Sequence, residues 1–428
     1  MVEGSKNTEV GVIPEDWVIY KVNDLIELLT DFDANGSFAS VAENVNVYDN
    51  DGFAWYVRST DLEKNSKINE VKYVDRSSYK FLKKTSLFGG ELLFLKRGDI
   101  GNVYLFQMKT NYATLAPNLY LLKLNQISNS TYLYYYFMSK SGQIQLKSKN
   151  ASSTLGALYK SDVKSILVPL PPTKAEQTAI ATALSDADAL ISSLEKLIAK
   201  KKSIRDIVAS DLLSGRRKLS NTSDHWKEET IESLCFVFTK QTGFDYSAHI
   251  KPKLIKSYNS NAAPFIQNKD FNGRKVNMET DYYIPIDVAK NFPRILLDIK
   301  CLLISISGSI GNVGIFDGNK VAFLGGAIAV AKFKDKTKID WAMYYLQSPI
   351  GQNMLLAKVK TGSHQNLILD DIRKMIIPYP AKDEMNQIIS ILSEMEKEID
   401  LLDQKLEKQK QLKQGMMQSL LTGKIRLV

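Results

Sequence analysis

The sequence predicts an α+β chain built twice: two repeated mixed domains joined by two long helices that form an antiparallel coiled coil, with pseudo-two-fold symmetry. Three observations predict it. A framework of residues recurs at an offset near 210, each copy alternates short apolar runs with Gly and Asn turns, and two stretches of about forty residues carry coiled-coil spacing.

The repeat comes first. Gly98-Asp99-Ile100-Gly101-Asn102-Val103 is answered by Gly308-Ser309-Ile310-Gly311-Asn312-Val313, an offset of 210 (Gly311 against Gly101). Tyr56-Val57-Arg58 and Asp61 face Phe265-Ile266-Gln267 and Asp270 at 209, and Gly142-Gln143 faces Gly351-Gln352 at the same offset. Asp162, Pro169 and Pro171 match Asp371, Pro378 and Pro380. Leu212-Leu213-Ser214-Gly215 faces Leu420-Leu421-Thr422-Gly423 at 208, and Asp16-Trp17 faces His225-Trp226. Agreement along the whole length rules out coincidence.

The first part, 1–172, reads as strands and hairpins: Glu91 to Leu95, Val103 to Phe106 and Leu119 to Leu124 lie between turn residues, with a helical stretch around Tyr132 to Leu146. A long helix follows over 173–215. Thr173 and Glu176 make a capping-box signature after Pro171-Pro172, and Ile180, Leu184, Ala187, Ile191, Leu194 and Ile198 step by 4, 3, 4, 3 and 4 to Gly215. The second domain occupies 216–380, with a helix around Trp341 to Leu356. The second long helix occupies 381–428, where Ile388, Leu392, Met395, Ile399, Leu402 and Leu406 repeat the spacing before Gly423. At about 1.5 Å per residue each helix is roughly 60 Å long. Two equal helices, each with one apolar seam, bury those seams against each other, and a dumbbell shape is expected.

Composition bounds the function. Lys and Arg total 56 against 47 Asp and Glu, a net charge of +9, which favours an anionic partner without identifying it. Two cysteines, Cys235 and Cys301, suit a reducing interior rather than a disulfide framework. Residues 1–15 carry charges and a proline where a secretion signal needs an apolar run, so a cytoplasmic location is expected. The most apolar region, Ile295 to Phe316, contains Asp298 and Lys300, and no membrane role is expected.

No Asn-Pro-Pro-Tyr or Asp-Pro-Pro-Tyr quartet of an adenine methyltransferase occurs, nor a Walker A loop. The nearest approach to a nuclease centre is Asp287 with Asp298 and Lys300, which has no match in the first half. His225, His249 and His364 are scattered, and His364 reads as a loop contact. Neither a catalytic residue nor a metal site is expected in this chain.

The segment Gly415-Met416-Met417-Gln418-Ser419-Leu420-Leu421-Thr422-Gly423-Lys424-Ile425-Arg426, and next the helix approaches, Ile166 to Gln177 and Asp371 to Pro380, carry a resemblance that extends over essentially the whole chain. On these residues the chain resembles the specificity (S) subunits of type I restriction-modification systems. The second approach has Glu384-Met385 where the first has Glu176-Gln177. The resemblance implies two target-recognition domains, each reading half of a bipartite double-stranded DNA site, in a subunit that binds without catalysing. It further implies two methyltransferase subunits docked on the helices and, for cleavage, restriction subunits. S-adenosylmethionine, ATP and Mg then belong to those partners, and no cofactor to this chain. Partner contacts are expected at Glu176, Gln177, Gly415, Met416, Met417 and Gln418. A helical glycine costs about 1 kcal/mol relative to alanine, so Gly415 is read as a point of close approach to the first helix or to a methyltransferase helix.

Two copies of one scaffold that read different half-sites should differ where they touch bases. Direct readout needs Arg, Lys, Asn, Gln, Ser or Thr at base edges. Arg58-Ser59-Thr60 faces Gln267-Asn268-Lys269 between shared flanks, with Arg58 suited to guanine and Gln267 to adenine. Lys96-Arg97 faces Ile306-Ser307, with Ser305 adjoining, and Ser152-Ser153-Thr154 faces Thr361-Gly362-Ser363, followed by His364-Gln365. The Gly98/Gly101 and Gly308/Gly311 turns are read as conformational, and the aromatic runs Tyr132 to Phe137 and Trp341 to Tyr345 as core. Half-site centres about 10 bp apart follow, with about 5 to 8 unspecified base pairs between short half-sites. Two rivals stay open: a coiled-coil scaffold joining two protein-binding domains, and a nuclease acting alone.

Overall fold

A computed structural model of the chain describes residues 4–150, 156–219, 226–359 and 366–427. It divides into two compact units, one of residues 1–195 with 404–428, the other of residues 196–403. The boundaries fall inside the two long helices, Lys174–Leu213 and Lys382–Leu420, so each unit holds one α+β domain and a half of each helix.

In the first unit, a four-stranded antiparallel sheet runs in the order Val103–Leu105, Leu92–Leu95, Leu119–Leu124, Ile26–Asp31. A five-stranded sheet runs Val47–Tyr48, Lys72–Val74, Ala54–Val57, Ala113–Leu115, Ser86–Leu87, with one parallel pair, Ala54–Val57 against Ala113–Leu115. Leu92–Leu95 is buried on both faces, which is why it reads as an unbroken apolar run. One face packs with Trp17, Tyr132, Tyr136 and the long-helix residues Ile180, Leu184, Leu420 and Leu421; the other faces Trp55, Leu115 and Leu121.

The second unit repeats this plan. Its six-stranded sheet runs Cys235–Lys240, Ile328–Phe333, Cys301–Ser305, Val313–Phe316, Lys275–Val276, Phe271–Asn272. Its four-stranded sheet runs Tyr283–Pro285, Ala262–Ile266, Ala322–Leu324, Leu296–Leu297, and Ala262–Ile266 again pairs in parallel. The proline-containing strands Leu167–Leu170 and Ile376–Tyr379 lead into the long helices and each pair with one strand, Val18–Lys21 and Lys227–Thr230 respectively.

The seams are buried or half-buried as their spacing predicts: Ile180, Leu184, Leu194 and Ile198 in one helix, Ile388, Leu392, Ile399 and Leu406 in the other. Within each unit the helix segments run antiparallel. Asp188 and Glu195 meet Lys413 and Lys410 in the first unit, and Lys201 and Lys202 meet Glu398 and Asp403 in the second. At the start of the first helix the Thr173 side chain accepts from the Glu176 amide at 3.2 Å, one half of the expected capping box; the Glu176 carboxylate is held instead by Arg426.

The matched glycines have structural causes. Gly142 and Gly351 lie so close to the Tyr136 and Tyr345 carbonyls that a Cβ would sit 2.2 and 2.1 Å from them. The glutamines that follow each donate to the last glycine of a hairpin turn, Gln143 to the Gly101 carbonyl at 2.7 Å and Gln352 to Gly311 at 2.9 Å. All four turn glycines, Gly98, Gly101, Gly308 and Gly311, have positive φ. The aromatic runs are core: the Tyr132 hydroxyl donates to the Pro169 carbonyl, and at the matched position the Trp341 indole donates to Pro378, both at 2.8 Å.

Candidate nucleic-acid interface

In the first unit four loops meet at one edge of the sheets, and backbone hydrogen bonds set their frame. The Ala116 amide donates to Val57, the Lys96 amide to Asn118, and the Leu158 amide to Lys96, all at 2.9–3.0 Å. In the second unit the Gly325 amide donates to Ile266, Ile306 to Ala327 and Leu367 to Ile306, at 2.8–2.9 Å. These are the same three bonds at matched positions. Arg97 bridges Ala157 as Ser307 bridges Asn366. The frame is therefore common, and it brings the Arg58, Lys96 and Arg97 group together in one unit and the Gln267, Asn268 and Ser307 group together in the other.

The side chains on that frame differ. Arg58 is about one-third exposed, and its Nε and Nη2 bind the buried Asp61 at 3.1 and 2.5 Å, leaving Nη1 as its outward edge. Ser59 is half-buried and Thr60 exposed. Lys96 donates to Asp31 and Asp33, both at 2.8 Å, while Lys160 takes the other oxygen of Asp31. Burial would raise the Asp31 carboxyl, but the hydrogen bonds from Lys160 and Lys96 hold it below the ordinary range. Lys96 is thus engaged with two carboxylates in this structure, while its neighbour Arg97 forms no ion pair among the described residues. Arg97 is exposed beside a cavity of about 570 Å³ that Asp33, Pro117 and Asn118 also line.

The second cluster is built from amides. The Gln267 amide is capped by Asp270 at 2.7 Å, and its own side chain is partly exposed. Burial raises the Asp270 carboxyl against that bond. Asn268 donates to the Ser307 carbonyl, and its Oδ1 is buried without a partner. Lys269 pairs with Asp281 at the surface. Ser305 is fully buried, its hydroxyl bonded to the Ser309 carbonyl and accepting from the Asn312 amide at 2.8 Å. That removes Ser305 from the base-reading set: the hydroxyl braces the turn. Ser152, Ser153, Thr154, Thr361, Gly362, Ser363, His364 and Gln365 lie outside the described residues.

The expected partner contacts are revised more heavily. Glu176 and Gln177 are buried within the chain: Glu176 pairs with Arg426, and Gln177 accepts from the Asn129 amide at 2.9 Å and donates to Ile127. Their counterpart Glu384 is also buried and accepts from the Leu219 amide at 3.1 Å, while Met385 is core. Gly415 meets nothing within 4 Å of a built Cβ, so it marks no close approach to the first helix. Met416 and Met417 pack partly on the first-unit core, and Met417 and Gln418 line a cavity of about 530 Å³. Elsewhere the long helices expose Leu190 and Leu412 in the first unit and Leu197, Ile204, Ile207 and Leu401 in the second.

Two arrangements carry no local signal in the sequence. Arg426 bridges Asp16 at 3.0 Å and Glu176 at 2.7 Å, while Gly423 seats against Pro14 and Trp17 as Gly215 seats against Trp226. Each domain is also latched to a long helix by a tyrosine, an acid and a base. The Tyr135 hydroxyl donates to Asp188 at 2.8 Å, and Lys413 donates to the same carboxylate at 2.6 Å. At the matched place Tyr344 binds Glu396 at 3.2 Å, and Arg274 contacts both.

The nuclease candidate does not assemble. Asp298 pairs with the buried Lys332, and Lys300 with Asp340. Among the described residues no group of three or more His, Cys, Asp or Glu is placed to hold a metal, and no helix is long and apolar enough to cross a membrane.

Residues 14–204 and 224–411 each match the family model described as type I restriction modification DNA specificity domain. The chain is 25% identical to a putative type I restriction enzyme MjaX specificity subunit of Methanocaldococcus jannaschii, over 99% of this chain and 97% of the relative. It is 24% identical to the MjaVIII specificity subunit of the same organism, over 97% and 94%. Among solved structures, the type I restriction-modification S subunit from M. genitalium superposes with a TM-score of 0.56 at 16% identity, covering 94% of this chain and 96% of that one. A chain solved in work on assembly and conformational transition of the type I R-M system gives 0.55 at 14% identity, covering 96% and 99%.

Proposed function

We infer, from the premise that this chain belongs to the type I restriction modification DNA specificity family, that it is the non-catalytic subunit that selects the DNA sequence for such a complex. Each half reads one part of a gapped, bipartite double-stranded site. The observation that carries this is the pair of loop clusters: three matched backbone hydrogen bonds hold each frame, while the side chains mounted on it change from Arg58, Ser59 and Arg97 to Gln267, Asn268 and Ser307 respectively. A scaffold joining two protein partners gives no reason for a constant frame with exchanged hydrogen-bonding side chains. A DNA reader with two different half-sites does.

The reading domains are 1–172 and 216–380, and the spacers 173–215 and 381–428. Two methyltransferase subunits dock on the spacers, for which the exposed Leu190, Leu197, Ile204, Leu401 and Leu412 and the open surface at Gly415, Met416 and Gln418 supply candidate contacts. Restriction subunits join for cleavage. S-adenosylmethionine, ATP and Mg belong to those partners, and the complex works in the cytoplasm, where its DNA is. Co-expression with the neighbouring methyltransferase followed by methylome sequencing tests the reading. The expected result is N6-methyladenine in a motif of two unlike halves separated by unspecified bases; a continuous motif overturns it.

A further inference from the structure

Phe38 is 93% exposed, the most exposed large apolar side chain among the described residues. It is not on a loose loop. It is the first residue of the helix Phe38–Asn44, whose cap Ser37 accepts from the Ser40 amide at 3.3 Å. One turn on, Val41 packs with Tyr79 and Phe81 onto the cluster of Phe32, Tyr56 and Leu82. The segment before it is pinned at three points. Lys96 holds Asp33, Lys84 donates to the Ala34 carbonyl at 2.9 Å, and Asn35 donates to Thr85 at 2.9 Å. The helix is therefore mounted rigidly, with its leading side chain directed away from the core.

Its setting is cationic. Lys80, Lys83 and Lys84 are exposed on the adjoining Arg76–Phe81 helix and the turn after it, and none forms an ion pair among the described residues. Five residues back along the chain, Asp33 touches the Lys96 and Arg97 edge of the first reading cluster. A single apolar projection near exposed ammonium groups that no carboxylate neutralises fits a partner that offers phosphates and, between them, an apolar stack. Duplex DNA does so, because an aromatic or aliphatic wedge can enter a base step while cations hold the flanking phosphates. Among the described residues the matched region of the second unit has no equivalent: its capped helix begins with Tyr246, which is folded partly onto the core with Phe244 and Leu254.

We propose that Phe38 is a wedge that enters a base step at the edge of the first half-site, with Lys83 and Lys84 on the adjacent phosphates. The first half-site is then selected partly by how easily that step opens, a form of indirect readout that favours pyrimidine–purine steps. The proposal rests on the DNA-specificity reading above.

The test uses the complex with its methyltransferase subunits and duplexes carrying the motif defined by methylome sequencing, with 2-aminopurine placed at successive steps. The wild-type complex should brighten the fluorophore at one step beside the first half-site. Phe38→Ala should abolish that signal and weaken binding about tenfold, the scale of losing one base-stacking contact, without changing the salt slope. Phe38→Leu should retain part of both effects. Lys83→Gln with Lys84→Gln should lower the salt slope by about 1 to 2. Wild-type binding together with an indifferent Phe38→Ala overturns the wedge alone. Phe38→Ala that impairs methyltransferase recruitment while the fluorescence step persists also overturns it, assigning the residue to a protein contact. A wild-type complex that binds no gapped motif overturns the specificity reading and the wedge with it.

Discussion

The two reading clusters share a backbone frame and differ in what holds it rigid. In the first unit a buried carboxylate, Asp31, is clamped by Lys96 and Lys160, and Asp61 anchors Arg58. In the second, Lys240 stands where Asp31 does, and stiffness comes from Gln241 donating to the Leu324 carbonyl at 2.6 Å, from Asn268 and from Ser305. Apart from the Asp61 and Asp270 caps that both units share, the same geometry is thus reached once through charge and once through neutral polar groups. Charge is the stronger support and the more conditional one, since it depends on pH and leaves a buried ion stranded when one partner is lost.

The largest break in that comparison should come from Asp31→Ala, which removes the hub of the charged cluster. We expect the first unit to lose about 3 kcal/mol, whereas Lys240→Ala at the matched position should cost under about 0.5 kcal/mol. Hydrogen exchange at residues 92–95 and 301–305 reports each unit separately, and equal losses would end the distinction. Acidification should separate the clusters in the same direction. Asp31 has a depressed folded pKa, so its contribution is present above the ordinary carboxylate value and is lost as the pH falls through the folded one. Asp270 and Glu396 are raised by burial, so their penalty is greatest at neutral pH and is relieved as the pH falls through their folded values. Below about pH 4 the first cluster should open before the second.

Recognition sharpens the contrast further. Arg58→Ala and Gln267→Ala should each relax one base position by about 2 kcal/mol. Only Arg58→Ala should also reduce the salt slope, by about 1, which a salt titration of the assembled complex would measure. The latches come next: Tyr135→Phe should cost the first unit about 1 kcal/mol. Tyr344→Phe should cost somewhat more, because that hydroxyl accepts from Arg274 as well as donating to Glu396, while Lys413 keeps its bond to Asp188 without Tyr135. Thermal unfolding monitored by exchange would rank the two. Smallest is Gly415→Ala, which should stabilise the isolated chain by up to about 1 kcal/mol, while Gly415→Leu should weaken methyltransferase assembly if a partner helix covers that site.

The repeat, the seams and the turn glycines were legible because each is a local demand of the backbone written twice. The Gly142-Gln143 and Gly351-Gln352 pairs recur because both copies need one close approach and one bond to the hairpin. Arg58 and Gln267 were found because unlike residues stood between matched flanks. That comparison does not separate outward side chains from inward ones: Ser305 differs from Leu95 because it braces a turn, and Lys96 differs from Ile306 because Asp31, 65 residues away, requires a cation. Glu176 looked like a partner contact because its mate, Arg426, lies 250 residues along the chain. Phe38 gave no sign at all, since nothing in the pattern shows that a phenylalanine after a capping serine will be left in solvent.

The pairing of Arg426 with Asp16 and Glu176 bears on the order in which the molecule can be made. The second unit draws on residues 196–403, a continuous stretch whose Gly215 and Trp226 are joined by the chain itself. The first unit needs residues 404–428 as well, and its matching contact, Gly423 on Trp17, is fastened by ions rather than by peptide bonds. On the ribosome the domain translated first is therefore covered by its own helix segment at Ile180 and Leu184 but lacks the cover of Leu420 and Leu421 until residues 404–428 emerge, by which point the residues of the later domain have all been made.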